Sequence, residues 1–148
     1  MPAYDKILFA TDFSESSEHA FEYALSLAQQ FKCRLIILHV INEPVDLRGF
    51  YVPHVSFENL EKEIEQGAKK MMGRFCNTHI GDAYQNYETA IVTGIPYEEI
   101  LKRAESEKAS FIVLGTQGRT GLDHLLFGST AERVVRKALC PVVTVRHP

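Results

Sequence analysis

The run SFIVLGTQGRTGLDHLLFGST, Ser110 to Thr130, joins an apolar stretch directly to a loop with four glycines and ends where a helical pattern begins. Strand, glycine-rich loop and helix start, in that order, outline a place that holds an anion. Glycines let a backbone turn and approach a ligand closely, and the free N–H groups of a helix's first turn attract negative charge. This pattern predicts a strand over Ser110 to Leu114 and a ligand loop from Gly115 onward.

Upstream, apolar runs of the same kind stand at Tyr4 to Ala10 and at Arg34 to Val40. They do not alternate with polar residues, as expected of strands covered on both faces. Between them, Ser14 is a good helix N-cap, Glu15 and Glu18 suit the positive end of the helix dipole, and Ala20, Ala24, Leu27, Ala28 and Phe31 recur at helical spacing. Strand, helix and strand make a βαβ unit with parallel strands and a right-handed crossover. Asn42 to Phe57, with two prolines and a glycine, reads as a long loop. A second helix opens near Ser56 and buries Leu60, Ile64, Ala68, Met71 and Phe75, with Met71 and Met72 as core filler.

Ala83 to Val92 mixes polar and apolar residues and suits a strand nearer a sheet edge, followed by a turn at Thr93 to Pro96. A third helix buries Ile100, Leu101 and Ala104. Beyond the glycine loop, Ser129 and Glu132 have capping-box spacing, Val134, Val135, Ala138 and Leu139 form a helix face, and Pro141 to Val145 closes the chain as a fifth strand. Five strands alternating with helices give an α/β fold, an open, doubly wound, Rossmann-like parallel sheet with helices on both faces. Ligands in such sheets lie at the carboxyl ends of the strands, where the strand order reverses. Three segments fall there: Thr11-Asp12, Val40-Ile41 and Gly115 to Gly118.

A chain of 148 residues, 45% of them hydrophobic, fits one domain over residues 1–148, given roughly 100 to 200 residues per domain. Its formal charge of −3 offers no electrostatic footprint for nucleic acid or an anionic membrane. No apolar run reaches the ~18 residues of a membrane span, and the start lacks a secretory pattern, so a cytoplasmic protein is expected. Cys33, Cys76 and Cys140 are widely spaced and read as reduced packing residues.

Two familiar phosphate motifs are absent: no G-x-x-x-x-G-K-[ST], and no G-x-G-x-x-G in the first βα turn. What stands here is Gly115-x2-Gly118, nine residues, then Gly128-Ser129. This resembles the G-x2-G-x9-G-[ST] nucleotide motif of the universal stress protein family. The likeness extends to the opening KILFATDFSE (Lys6 to Glu15), the LHV segment (Leu38 to Val40), the block from Gly115 to Ala138, and the terminal CPVVTVR (Cys140 to Arg146).

The resemblance implies a five-stranded parallel sheet in the order 3-2-1-4-5, a homodimer, and ATP bound at the switch point between strands 1 and 4. By matching positions, Asp12 and Val40 would contact the adenine side, with Thr11 beside them. Gly115, Thr116, Gly118, Arg119, Gly128, Ser129 and Thr130 complete the candidate site, the glycines and hydroxyls of the motif on the ribose and phosphates. Glycines 115 and 118 would let the chain pass beneath the phosphates, and Gly128 to Thr130 would present N–H groups at a helix start. Asp12 repels a triphosphate, so the adenine or ribose edge suits it better. Mg2+ would add positive charge, although no ligand cluster for a metal stands in the sequence.

Arg119 and His124 lie in the spacer, either as phosphate partners or as solvated loop charges, and His39 reads as a satisfied core histidine. No base stands beside a nucleophile and no acidic pair suits two metals, so no catalytic or metal-ligating residue is assigned. The expected function is an ATP-binding regulatory protein of the stress-response type, with a protein partner still to be identified and a dimer formed through Cys140 to Arg146. A slow ATPase and an interaction module with a vestigial pocket are the alternatives.

Overall fold

The computed structural model describes residues 3–42, 57–117 and 127–148. Across them strand and helix alternate: β1 (Lys6–Ala10), α1 (Glu15–Phe31), β2 (Arg34–Asn42), α2 (Phe57–His79), β3 (Tyr87–Gly94), α3 (Pro96–Glu107), β4 (Phe111–Gly115), α4 (Ser129–Lys137) and β5 (Val142–Val145). The strands form one sheet in the order β3-β2-β1-β4-β5, every neighbouring pair parallel. This is the expected α/β architecture and order. The order in which strands are added reverses between β1 and β4, which fixes where a ligand crevice belongs.

The unbroken apolar runs are explained by two packed layers. Ile7 and Phe9 of β1, with Leu35 and Ile37 of β2, pack against Phe21, Ala24 and Ala28 of α1 and Met72 and Phe75 of α2. Leu8 and Ile36, between them, turn the other way, to Ile100 and Ala104 of α3 and Ala131 and Val134 of α4. Each fully buried side chain of this size contributes about 1.5–3 kcal/mol.

Several boundaries differ from the sequence reading, each for a local reason. Tyr4 lies outside β1 and stacks its ring 4.9 Å from Phe111 and 4.8 Å from Phe31, which leaves Phe31 half exposed and not on the buried face. β3 starts at Tyr87, later than Ala83, because Tyr84 is used elsewhere: its hydroxyl donates to the carbonyls of Ala28 and Cys33 and ties down the connection from α1 to β2. Thr93 and Gly94 continue the strand opposite Ile41 and Asn42 and do not turn. On α2 the core methionine is Met72, 3% exposed, while Met71 is 44% exposed.

The three cysteines are unbridged. Burial pushes all three thiols above their ordinary range, and the neighbouring charge of Asp5 adds to the effect at Cys33. The Cys33 thiol donates to the Tyr4 carbonyl at 2.8 Å, a packing role.

Candidate functional site

The turn leaving β1 is built from its own side chains. Thr11 Oγ1 accepts the Phe13 N–H at 2.9 Å, and Asp12 Oδ1 accepts the Ser14 N–H at 3.0 Å and the Ser17 hydroxyl at 2.7 Å. The Ser17 hydroxyl in turn accepts the Asp12 N–H, and Ser14 Oγ caps α1 by accepting the Ser17 N–H, both at 3.2 Å. This network holds Phe13 at φ 63°, a left-handed backbone that a bulky residue adopts only when its surroundings enforce it. Asp12 is thus a brace for the turn as well as a wall of the cleft beside it.

β2 supplies a second brace. His39 is buried, and its Nδ1–H donates to the Thr11 carbonyl at 2.8 Å; the carbonyl can only accept, which puts the proton on Nδ1. Its ring lies 4.4 Å from Phe13. The Thr11 N–H meets the Leu38 carbonyl at 2.9 Å, so Thr11 is pinned on both sides.

At β4 the chain runs past Gly115 to Thr116, whose N–H donates to the Val145 carbonyl at 3.1 Å and whose carbonyl accepts the Gly128 N–H. That last bond sets where α4 begins. Gly128 is its N-cap, with no side-chain capping bond, and the Gly128 carbonyl accepts the Glu132 N–H at 3.0 Å. Ser129 is therefore already helical and cannot act as the cap of a capping box; Glu132 pairs instead with Arg136 at 3.0 Å. The helix also stops at Lys137, short of the expected face, leaving Leu139 91% exposed, while Val135, within the helix, is half exposed and off the buried side.

These pieces enclose a cleft of about 260 Å3 at the carboxyl ends of the strands. Of the residues selected from sequence, Thr11, Asp12, Val40, Gly115, Thr116, Gly128, Ser129 and Thr130 all line it. Gly118, Arg119 and His124 lie outside the described residues, as does the stretch 43–56. Ala10, Leu38, Val40, Ile100 and Leu114 give the cleft its apolar lining, and Asp12, Thr116 and the first turn of α4 give it polar groups. Among the described lining residues no lysine or arginine appears, and the first turn of α4 offers backbone N–H groups of the kind that attract an anion.

Gly115 needs its missing side chain for a reason the sequence did not disclose. A Cβ there would stand 2.6 Å from Ser16 Oγ and 3.1 Å from the Ser16 carbonyl oxygen. What presses on it is helix α1, packed close against β4, and not the ligand side. Sequence reading also missed Ser17, Asn42, Pro96, Ile100 and Gln117, which line the cleft. Asn42 and Pro96 follow from carrying the carboxyl-end rule to β3 as well, since Asn42 pairs with Gly94 just before Pro96.

Among the described residues no group of three His, Cys, Asp or Glu side chains could hold a metal ion, and no helix is long and apolar enough to cross a membrane.

The model of the universal stress protein family matches residues 3–146. The universal stress proteins MJ0531 and MJ0577 of Methanocaldococcus jannaschii are each 34% identical, over 98% and 97% of this chain and 84% and 96% of their own. The solved structure of MJ0577 superposes with a TM-score of 0.81 over 99% of both chains. The fold is shared with a universal stress protein solved in complex with cAMP, 21% identical, TM-score 0.73, covering 97% of this chain and 98% of that one. It is shared also with one from Archaeoglobus fulgidus in complex with dAMP, 23% identical, TM-score 0.66, with the same coverage. Matched along nearly its whole length by that family model, and carrying its cleft where the sheet order reverses, this chain belongs to the universal stress protein family.

Proposed function

We propose that the cleft binds ATP, and that occupancy sets the conformation or partner choice of a dimeric regulatory protein acting in the stress response. One observation carries the reading: the carboxyl ends of β1, β2 and β4 and the first turn of α4 converge on one cleft that is lined by apolar and polar residues alike. The apolar lining, Val40 included, suits adenine, and Asp12 would accept a hydrogen bond at the adenine or ribose edge. The N–H groups of Gly128, Ser129 and Thr130 suit phosphates, because a helix start concentrates roughly half a positive charge there. Holding ATP this way needs no catalytic group. Mg2+ travelling with the triphosphate would add positive charge that the described lining does not supply.

The cAMP and dAMP complexes support the reading in general terms, since in those proteins the same fold accommodates an adenine nucleotide. The dimer is proposed through Cys140 to Arg146, where β5 is an edge strand with unpaired backbone groups that a second copy would cover. Equilibrium dialysis of nucleotide-stripped protein against ATP and Mg2+ is the direct measurement. Saturable binding of one ATP per chain is expected; no binding at millimolar concentration removes the proposal.

A further inference from the structure

Several surface cations are neutralised by carboxylates: Lys6 and Arg103 by Glu107, Arg34 by Glu88, Lys69 by Glu65 and Arg136 by Glu132. Arg133 and Lys137 of α4 are not. Among the described residues neither has a carboxylate at ion-pair distance. Both lie instead over one aromatic ring, the Arg133 guanidinium carbon 5.0 Å and the Lys137 Nζ 5.1 Å from the centre of Tyr97. These distances are inside the ~6 Å at which a ring face attracts a cation. Like charges four residues apart on a helix repel, and the ring offsets that repulsion while leaving both charges in place. The platform is itself fixed: Tyr97 packs on the core between α3 and α4, and its hydroxyl donates to Glu98 Oε1 at 3.2 Å.

What stands beside this group gives it a use. Pro96, the residue before Tyr97, lines the cleft, and so do Ser129 and Thr130, about one turn before Arg133. Helix side chains lean toward the N-terminus, so Arg133 covers the turn that holds Ser129 and Thr130. Four residues are about 6 Å of helix, less than the ~8 Å over which physiological salt screens a charge. The cleft lacks a cation of its own among its described lining residues, and Asp12 adds a negative charge to it.

We propose that Tyr97 holds Arg133, with Lys137 behind it, as a fixed positive charge outside the cleft that favours nucleotides through space in proportion to their phosphate charge. This rests on the nucleotide reading above and adds a charge selectivity to it. Neither side chain touches the ligand. A carboxylate partner would cancel the field, as Glu132 does for Arg136, whereas an aromatic ring carries no net charge and leaves it standing.

The test titrates the full, nucleotide-stripped chain calorimetrically with adenosine, AMP, ADP and metal-free ATP, and with Mg-ATP for the wild type. Salt is set at about 0.01 M and about 1 M, where charges are felt over about 30 Å and about 3 Å. The variants are Arg133→Gln, Tyr97→Phe and Tyr97→Leu. Arg133 is exposed, so glutamine there changes the charge and little else. At low salt Arg133→Gln should weaken ATP about 3- to 10-fold, ADP and AMP progressively less, and adenosine not at all. At high salt the variant and wild type should coincide. Tyr97→Phe keeps the ring and should bind like wild type. Tyr97→Leu frees the arginine to move out into water and should reproduce part of the low-salt loss, again without a loss at high salt.

Wild-type protein that binds none of the probes overturns the nucleotide reading and this proposal together. Nucleotide binding that Arg133→Gln leaves unchanged at low salt overturns this proposal alone. So does a loss that is equal for adenosine or that persists at high salt, since a screened field produces neither. Wild-type affinity in Tyr97→Leu at low salt overturns the part assigned to the ring.

Discussion

Gly115 lines the cleft, and the absence of its side chain also serves packing on the opposite side, against α1. Of the contacts that a methyl group would make, the 2.6 Å to Ser16 Oγ is shorter than native Cβ atoms show, and the 3.1 Å to the Ser16 carbonyl oxygen is tight. Gly115→Ala should therefore destabilise the fold by about 1–3 kcal/mol, the usual range for overpacking. Ser16→Ala takes away the nearer of the two obstacles, so the double variant should lose less than the sum of the singles. Urea unfolding of the four proteins checks this; strictly additive values would mean that the helix yields in some other way. The glycine spacing made the position legible, but not the side on which room was short, because that depends on a helix about a hundred residues earlier in the chain. Asp12 is similar: its type and place were readable, while its bonds to Ser14 and Ser17 emerged only from the folded turn.

Elements whose ends are set by their own residues were the readable ones. Ser14 caps α1 as its type and the following glutamates suggest, and the start of α3 at Pro96 follows from proline's fixed φ. Elements whose ends depend on a distant bond were not readable. The start of α4 is decided by Thr116 holding Gly128, so the serine and glutamate that matched a capping box were one residue out of position. Likewise β3 loses its first residues to the tether made by Tyr84.

Helix ends also hold reserve stability. α1 and α3 each end on an exposed lysine in the left-handed region, Lys32 at φ 55° and Lys108 at φ 53°. A side chain there costs about 1–2 kcal/mol, partly offset by the greater freedom that glycine has in the unfolded chain. Lys108→Gly should raise the unfolding free energy by about 1 kcal/mol. Denaturant midpoints at constant m-value measure it, and a fall would show that the lysine makes contacts worth more than the backbone cost.

Across the whole molecule, alternation of strand and helix was enough to predict a parallel sheet, because parallel neighbours require crossovers. The order of strands came from the family likeness instead, since periodicity does not say which edge a strand joins. That order leaves β3 and β5 as the edges. β5 carries partly exposed valines at 142 and 143, and the apolar Leu139 stands open just before it. For the proposed dimer, Val143→Asp should give a monomer by light scattering with a folded circular-dichroism spectrum. A wild-type monomer, or a variant that still pairs, would remove β5 as the dimer strand.

Thr116 gives that arrangement a consequence. Its backbone grips the last pair of β5 with one group and the start of α4 with the other. If a nucleotide drew α4 toward its phosphates, as the proposed function allows, these two bonds would carry the shift to the strand along which two copies are proposed to join. Coupling of this kind runs equally in both directions. Were pairing to favour the loaded form, making more of the protein at a fixed nucleotide level would itself raise the fraction that is loaded, and abundance and nucleotide supply would act as two inputs to the same switch.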